Sequence, residues 1–360
     1  MEPENFLTTQ FRAQWKIYRE EGGRRTEITD EEQLQAIEKL FTEKVIDLQN
    51  VHTVVFELGK AGELQETSYD IKGKTVGKAV RWSVKDSPNA AKVYDYIRCL
   101  DLGKLAPTTV KGKPGIKNEH NTCFASSFLQ HTLDVKLDKR KPQSDEANNQ
   151  QLGKARDELF NAAKACQDAL KKAKQASTTV EVKVVEELLK AAAAVEKARG
   201  PTSTWDKTGQ AQDFAEFWKF VGDELDLFHT GLDDAIGGQA YLTIQPKKGE
   251  KISTVLADSI DETTGYPKLL PLSINRRTEH GKNYTPIEIE TSFDIDQKTY
   301  ELVGVVEHIG TAEKGHNIAY RVEKEQVVRY DDDKVGLLKS KEALEGLQTT
   351  ASFLIYQLKG

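Results

Sequence analysis

Three residue types that could together run nucleophilic acyl chemistry stand far apart in this chain: a cysteine at 123, a histidine at 316 and a run of acids at 331–333. Cys123 lies in Gly115-Ile116-Lys117-Asn118-Glu119-His120-Asn121-Thr122-Cys123-Phe124-Ala125-Ser126-Ser127-Phe128-Leu129-Gln130. Phe124, Phe128 and Leu129 recur at helical spacing, and Asn121 and Thr122 precede them as capping residues. The spacing predicts a helix with the cysteine in its first turn, where free N–H groups and the positive end of the helix dipole favour a thiolate. A lone cysteine there is otherwise a small buried hydrophobe. A base within reach is what would make it a nucleophile.

Candidate bases lie downstream. Tyr300 to His308 alternates like a strand, a polar turn follows from Gly310 to Lys314, and Gly315-His316-Asn317-Ile318-Ala319-Tyr320-Arg321-Val322 reads as a second strand. A third ends in Tyr330-Asp331-Asp332-Asp333. Adjacent strands, one opening with Gly-His and the next closing on an acid, place imidazole beside carboxylate, as in cysteine proteases of papain type. Both His308 and His316 could serve as base. Gly315 favours His316, because a substrate backbone passing close leaves no room for a side chain.

The elements that must position these groups divide the chain. Residues 1–105 read as an N-terminal α+β unit of open role. Thr29-Asp30-Glu31-Glu32 opens a helix with apolar positions Leu34, Ile37, Leu40, Phe41 and Val45. Thr53 to Leu58 and Ala79 to Val84 read as strands, with a turn at Gly59 to Gly62, and a second helix spans Ser87 to Leu100. Leu102 to Lys113 reads as a linker, and 106–360 as the catalytic part. Within it, about 147–199 predicts a helical hairpin from Leu152, Ala155, Leu159, Ala162, Cys166, Ala169, Leu170 and Ala173. Ser177-Thr178-Thr179 would cap its second helix and Gly200-Pro201 stop it. The chain has 360 residues, enough for more than one domain, and a formal charge of −6 argues against nucleic acid as a main partner. Its apolar runs are too short to span a bilayer, and the N-terminus has no secretory signal pattern. Three cysteines, Cys99, Cys123 and Cys166, are too few for a disulfide framework, so a reducing, intracellular compartment is expected.

Six stretches resemble the ubiquitin-specific proteases, in that family's order. Asn118 to Gln130 resembles the cysteine box, and Gln210-Ala211-Gln212-Asp213-Phe214-Ala215-Glu216-Phe217 the Gln-Asp box. Leu269 to Arg277 resembles the strand before the histidine box, and Tyr300 to Val322 that box itself. Tyr330 to Val335 resembles the aspartate box and Ala351 to Gln357 the closing strand. The resemblance implies an α+β fold of papain-like, ubiquitin-specific-protease type, with a helical thumb, a β palm and reduced fingers, beside the N-terminal unit. It implies cleavage of the (iso)peptide bond after the C-terminal glycine of ubiquitin or a ubiquitin-like modifier, with ubiquitinated or otherwise modified proteins as further partners. Cys123 matches the nucleophile, His316 the base and Asp331 its orienting acid. Asn118 matches an oxyanion donor and Asp332 a further polarising acid. Asp213, Gln212, Gly315 and Asn121 match positions facing the modifier's tail, whose arginines a carboxylate at 213 could clamp. Without the modifier, Asp213 would simply be an acid at a helix N-terminus.

Several positions depart from the family pattern. His120 stands where Gly is usual, Asn317 replaces an aromatic, Val327 replaces another, and Arg277 replaces a Phe. The fingers, about Thr230 to Lys268, are short and hold no cysteine, so no zinc site is expected there, and no metal or cofactor is called for. A divergent sequence with retained motifs suits a bacterial effector working in a host cytosol. Two rival readings stand beside the protease: a non-catalytic binding module, against which the retained Cys123, His316 and Asp331 speak, and a papain-like protease with another substrate.

Overall fold

The computed structural model describes residues 16–21, 24–43, 51–59, 63–101, 110–118, 121–132, 135, 137, 142–200, 205, 213–225, 240–247, 249–256, 260, 266–278, 281–310, 315–324 and 326–359. The first elements are β1 (Lys16–Glu21), β2 (Arg24–Glu27), α1 (Glu31–Glu43), β3 (Thr53–Leu58), β4 (Glu63–Tyr69), β5 (Val80–Ser83) and α2 (Pro88–Asp101). They form a five-stranded sheet of order β2-β1-β3-β4-β5, in which β1 and β3 run parallel and α1 makes the crossover. Asp30 caps α1, accepting from the Gln33 N–H at 3.0 Å. Ile37, Leu40, Val54, Phe56, Leu64 and Trp82 close a core between helices and sheet. Three of these strands carry no apolar alternation in sequence. β4, for instance, turns Glu66 and Ser68 inward, joined by a 2.5 Å hydrogen bond.

The helix that opens with Cys123, α3 (Cys123–Thr132), is followed by the hairpin α4 (Gln150–Ala176) and α5 (Val182–Arg199) and by α6 (Phe214–Glu224). The buried stripe of α4 runs through Leu152, Ala155, Leu159, Ala163, Cys166, Leu170 and Ala173; Ala162 and Ala169 sit on its shoulders. Two expected caps shift. Ser177 ends α4 in the left-handed region at φ 55°, while Glu181 precedes α5 without a side-chain cap, so 177–179 closes the first helix and does not open the second. The Arg156 guanidinium, buried in α4, bonds Glu224 at the end of α6 at 2.7 Å and Asp145 at 2.5 Å. These bonds fix the hairpin against α6.

A short strand β6 (Leu242–Ile244) and helix α7 (Ile252–Leu256) lead to β7 (Leu269–Ile274). The two-residue strands β8 (Arg277–Thr278) and β9 (Gly281–Lys282) form a small hairpin, and β10 (Ser292–Ile295) follows. The remaining elements are β11 (Lys298–Gly310), β12 (Gly315–Glu323), β13 (Gln326–Asp331), β14 (Lys334–Lys339), α8 (Ser340–Leu347) and β15 (Ala351–Leu358). Seven of these strands form the path β14-β13-β12-β11-β15-β7-β6, and β10 adds to β11. Along that path only β6 and β7 pair in parallel. One apolar core lies between the sheet and α3, α4, α5 and α6, and a second lies on Leu272, Tyr300, Val305, Ile318 and Leu354.

The helix α2 docks on this sheet through charge. Arg98 reaches Glu307 of β11 with two bonds, 2.5 and 2.9 Å, and Glu307 is fully buried. The Tyr320 and Thr350 hydroxyls donate to the same carboxylate at 2.6 and 2.5 Å. One helical turn earlier, buried Asp95 accepts from Lys282 at 2.6 Å, the Tyr284 hydroxyl at 2.9 Å and the Gly310 N–H at 3.1 Å. Burial would raise the Glu307 carboxyl, but Arg98 and the two hydroxyls outweigh it and hold its pKa at about 2.

Arg98→Ala strands Glu307 without its cation, and loss of one partner of a buried pair costs about 3–5 kcal/mol. Urea unfolding measures this, and an unchanged midpoint would refute the pairing. The Glu307 pKa lies below its unfolded value, so the pair's stabilisation is present above about pH 4.3 and disappears as pH falls towards 2.

Candidate active site

Every residue of α3 from Cys123 to Gln130 is buried, because the helix is covered on both flanks. One flank packs on β12, and the other meets the aromatics of α6. Phe124 and Phe217 lie edge-on at 5.1 Å, Phe128 and Phe217 at 5.4 Å, and Phe128 and Trp218 at 5.7 Å. Such pairs each add about 0.5–1.5 kcal/mol beyond the area they bury. At the other end of α3, His131 packs where Gly304 of β11 has no side chain, a place that a Cβ would occupy. The cysteine is therefore fixed by its whole helix.

The antiparallel pairing of β12 and β13 brings His316 to the acids. His316 Nε2 lies 2.8 Å from Asp331 Oδ1 and 3.6 Å from Asp332 Oδ2. Asp331 uses its second oxygen to accept from Arg329 at 2.7 Å. The Cys123 sulfur also acts on the imidazole, raising its pKa. Burial opposes a charge on His316, yet Asp331 and Cys123 prevail and the imidazolium is favoured far above its ordinary range. Burial also acts on Asp331, where His316 and Arg329 overcome it and keep the carboxyl below the usual value. Cys123, His316 and Asp331 thus come together in one place: the imidazole bonds the carboxylate, and the thiol, met by the Asn317 N–H, acts on the imidazole. His316, Asp331 and Asp332 lie close enough to share a cation, but Asp331 spends both oxygens on His316 and Arg329.

Asn118 sits across the helix entrance. Its Oδ1 accepts from the Thr122 N–H at 3.0 Å and the Thr122 hydroxyl at 3.1 Å, and its Nδ2 donates to Asp332 Oδ2 at 3.1 Å. Nδ2 carries two N–H donors, so this bond uses one and leaves a second. Burial lifts the Asp332 pKa to about 6 against the pull of His316 and Asn118. The segment before Asn118 is held from two sides. The Ile116 N–H donates to Asp332 O at 2.9 Å, while Gly115 O and the Lys117 N–H bond Val180, between α4 and α5, at 2.9 Å each. Gly115 makes the first contact feasible, since a Cβ there would lie 2.8 Å from both Asp332 O and Asp333 Cα. The sequence suggests a turn at this glycine; its use is a close backbone crossing. Asn121, exposed, takes the left-handed conformation at φ 57°.

Asn317 escaped selection from sequence, where it stands only as a missing aromatic. Its backbone N–H points at Cys123 Sγ at 3.4 Å and its Nδ2 lies 3.8 Å away. Gly315 has a different reason from the one expected: a Cβ there would overlap the His308 ring and the Ile309 carbonyl, so the requirement comes from within the sheet. Burial lowers the His308 pKa to about 3, with Lys282 adding to the effect, which leaves that imidazole neutral. Cys166 is sealed in the hairpin, and burial pushes its thiol up to about 12. Gln212 and His120, and with them the expectations placed on each, lie outside the described residues.

A cavity of about 220 Å³ adjoins the cysteine by way of Asn317 and is bounded by Asp213, Glu216, Tyr241, Arg277 and Phe353 among others. Asp213 caps α6, accepting from the Ala215 and Glu216 N–H groups at 2.8 and 3.2 Å, and pairs with Arg277 at 3.2 Å. The helix-cap reading of Asp213 therefore holds, whatever else the carboxylate does. Among the described residues no helix is long and apolar enough to cross a membrane.

The family model described as ubiquitin carboxyl-terminal hydrolase matches residues 114–356. No curated protein matches the chain by sequence. Among solved structures, the chain is similar to the SAGA DUB module Ubp8/Sgf11/Sus1/Sgf73 bound to monoubiquitin, at 17% identity, covering 82% of this chain and 79% of that one, with a TM-score of 0.48. The module bound to ubiquitin aldehyde gives 18% identity, the same coverages of 82% and 79%, and a TM-score of 0.46.

Gly115→Ala forces the 115–118 segment off the Asp332 turn and should destabilise by about 1–3 kcal/mol, as overpacking does. Gly336→Ala in β14 meets nothing within 4 Å and should stay near neutral. Chemical denaturation of both variants checks the contrast; equal midpoints would show that the crossing imposes no such constraint.

Proposed function

The chain belongs to the ubiquitin carboxyl-terminal hydrolase family, and on that premise we propose that it is a thiol hydrolase acting on ubiquitin or a ubiquitin-like modifier. The bond cleaved is the (iso)peptide bond after the modifier's C-terminal glycine, and ubiquitinated or otherwise modified proteins are its substrates. The observation that carries this reading is His316 held between Cys123 and Asp331 at the start of a buried helix.

Cys123 is the nucleophile. With His316 holding the thiol proton, the sulfur attacks the glycine carbonyl, and the tetrahedral oxyanion meets the free Asn118 N–H. One such donor contributes about 3 kcal/mol to the transition state. The imidazolium then gives its proton to the departing amine, leaving a thioester on Cys123. Water, deprotonated by His316, attacks the thioester and releases the modifier's carboxylate and the thiol. Asp331 accepts from the imidazole Nε2–H, which leaves Nδ1 as the nitrogen that exchanges the proton with the sulfur, and Arg329 fixes Asp331 in turn. Asp332 orients the Asn118 amide and adds negative charge beside the imidazolium.

Ubiquitin carrying a C-terminal electrophile should form one covalent adduct with the protein and none with Cys123→Ala, as gel shift and intact mass would report. The same panel built on ubiquitin-like modifiers identifies the partner. An adduct that persists in Cys123→Ala would refute the assignment.

Asp332 is neutral below about pH 6 and charged above it. The acid limb of kcat/KM on a fluorogenic modifier should therefore bend near pH 6, and Asp332→Asn should remove that inflection. If the limb is identical in the variant, Asp332 takes no part in the site's charge balance.

A further inference from the structure

The carboxylate expected to clamp an arginine of the modifier's tail is already occupied by an arginine of this chain. Asp213 spends Oδ1 on the N–H groups of Ala215 and Glu216, and Oδ2 faces Arg277 at 3.2 Å. Arg277 bears on Glu216 as well, drawing that carboxyl down against burial and Asp213, which raise it. Asp213, Glu216 and Arg277 line the same cavity, and Arg277 pairs with Asp213. The position is the one at which the sequence departs from its family by carrying Arg in place of Phe, so an apolar wall has become a cation.

The backbone that presents Arg277 is fixed. Arg276, 5% exposed, bonds the carbonyls of Ala351 at 3.0 Å, Gln348 at 2.7 Å and Thr285. The Asn283 N–H donates to Arg276 O at 2.7 Å, and the Arg277 N–H to Asn275 Oδ1 at 3.1 Å. Of the two other cations lining the cleft, Arg276 is spent on those carbonyls and Lys282 is taken by Asp95 at 2.6 Å. Arg277 remains the charge that an incoming tail must meet.

We propose that Arg277 is a specificity-determining residue: by occupying Asp213 and facing Glu216, it removes the preference for an arginine-bearing tail and opens the cleft to modifiers whose glycine-ended tail is polar and uncharged. The proposal rests on the reading of the cleft as the path of a modifier's C-terminal tail. A tail arginine entering the wild-type cleft must displace Arg277 from Asp213 and approach it as a like charge. An uncharged amide side chain bears neither cost. Exposed ion pairs contribute about 0–1 kcal/mol, so displacement alone accounts for up to about fivefold in affinity, and like-charge repulsion adds to it.

The test needs no turnover. In the Cys123→Ala background, calorimetry measures binding of ubiquitin and of ubiquitin with its tail arginines changed to glutamine. The expected result is discrimination of less than about threefold. Adding Arg277→Ala should tighten ubiquitin by at least about fivefold and leave the glutamine form within twofold, and Arg277→Gln should behave alike. The gain should shrink as salt rises. An Arg277→Ala variant that binds both forms as its parent does overturns the proposal, as does a parent that already favours the arginine form tenfold. Binding of neither form to any variant would overturn the tail-cleft reading itself, while binding without hydrolysis by the parent enzyme would count against the proposed function alone.

Discussion

The crossing of two backbones, at Gly115 and at the turn closing β13 into β14, is the constraint from which the site follows. At that turn Asp331 faces the imidazole, Asp332 O receives the Ile116 N–H, and the Asp332 side chain receives Asn118. Asn118 in turn holds Thr122 at the mouth of α3, one residue before Cys123. Imidazole, carboxylates, the Asn118 amide and the thiol are thus placed by a single short set of bonds, and the set closes because residue 115 has no side chain. The same segment is bonded to Val180, so the loop between the two long helices shares in the placement. Preorganised donors are valuable because they need no rearrangement as charge develops. A crossing locked from two sides supplies that.

Charge inside the site is balanced in pairs. His316 is flanked by the Cys123 sulfur and two carboxylates. Asp331 is kept ionised by His316 and Arg329, whereas Asp332, with fewer partners, titrates near neutrality. Two adjacent acids thus differ by environment: the cations around Asp331 draw its pKa down, whereas burial pushes that of Asp332 up. His308, eight residues before His316, is excluded from base chemistry by burial and by the positive charge of Lys282.

The parts legible in the sequence were those that repeat or punctuate. The helical stripe of α4, the strands β11 to β13, and the cysteine at a helix start all follow from periodicity and capping, while β15 was legible only through the family resemblance. Contacts between distant positions were not legible. Asn317 was visible only as a missing aromatic, though its N–H faces the sulfur. Gly315 suggested room for a substrate, but the room is filled by a ring from the neighbouring strand, which only the β11–β12 register reveals: His308 stands opposite Asn317, and Gly310 opposite Gly315. β4 escaped because it buries Glu66 and Ser68, a polar inward face that alternation does not flag. Asp213 was legible as a helix cap, but its partner was not, since residue 277 is far away in sequence.

The N-terminal residues show how far such long-range pairing reaches. Their sheet has its own core, which would suit an appended module joined by a linker. Yet α2 carries Asp95 and Arg98 one turn apart, and each meets an opposite charge buried on the far side of the junction. Buried charges demand partners, so the palm cannot keep Glu307 and Lys282 inside without this helix. Glu307 lies in the strand that pairs with β12, two residues before Ile309, which stands opposite His316. The strand that sets the register of His316 is therefore the one the helix holds. A segment with no recognisable motif becomes, through two side chains, part of the frame on which His316 is set.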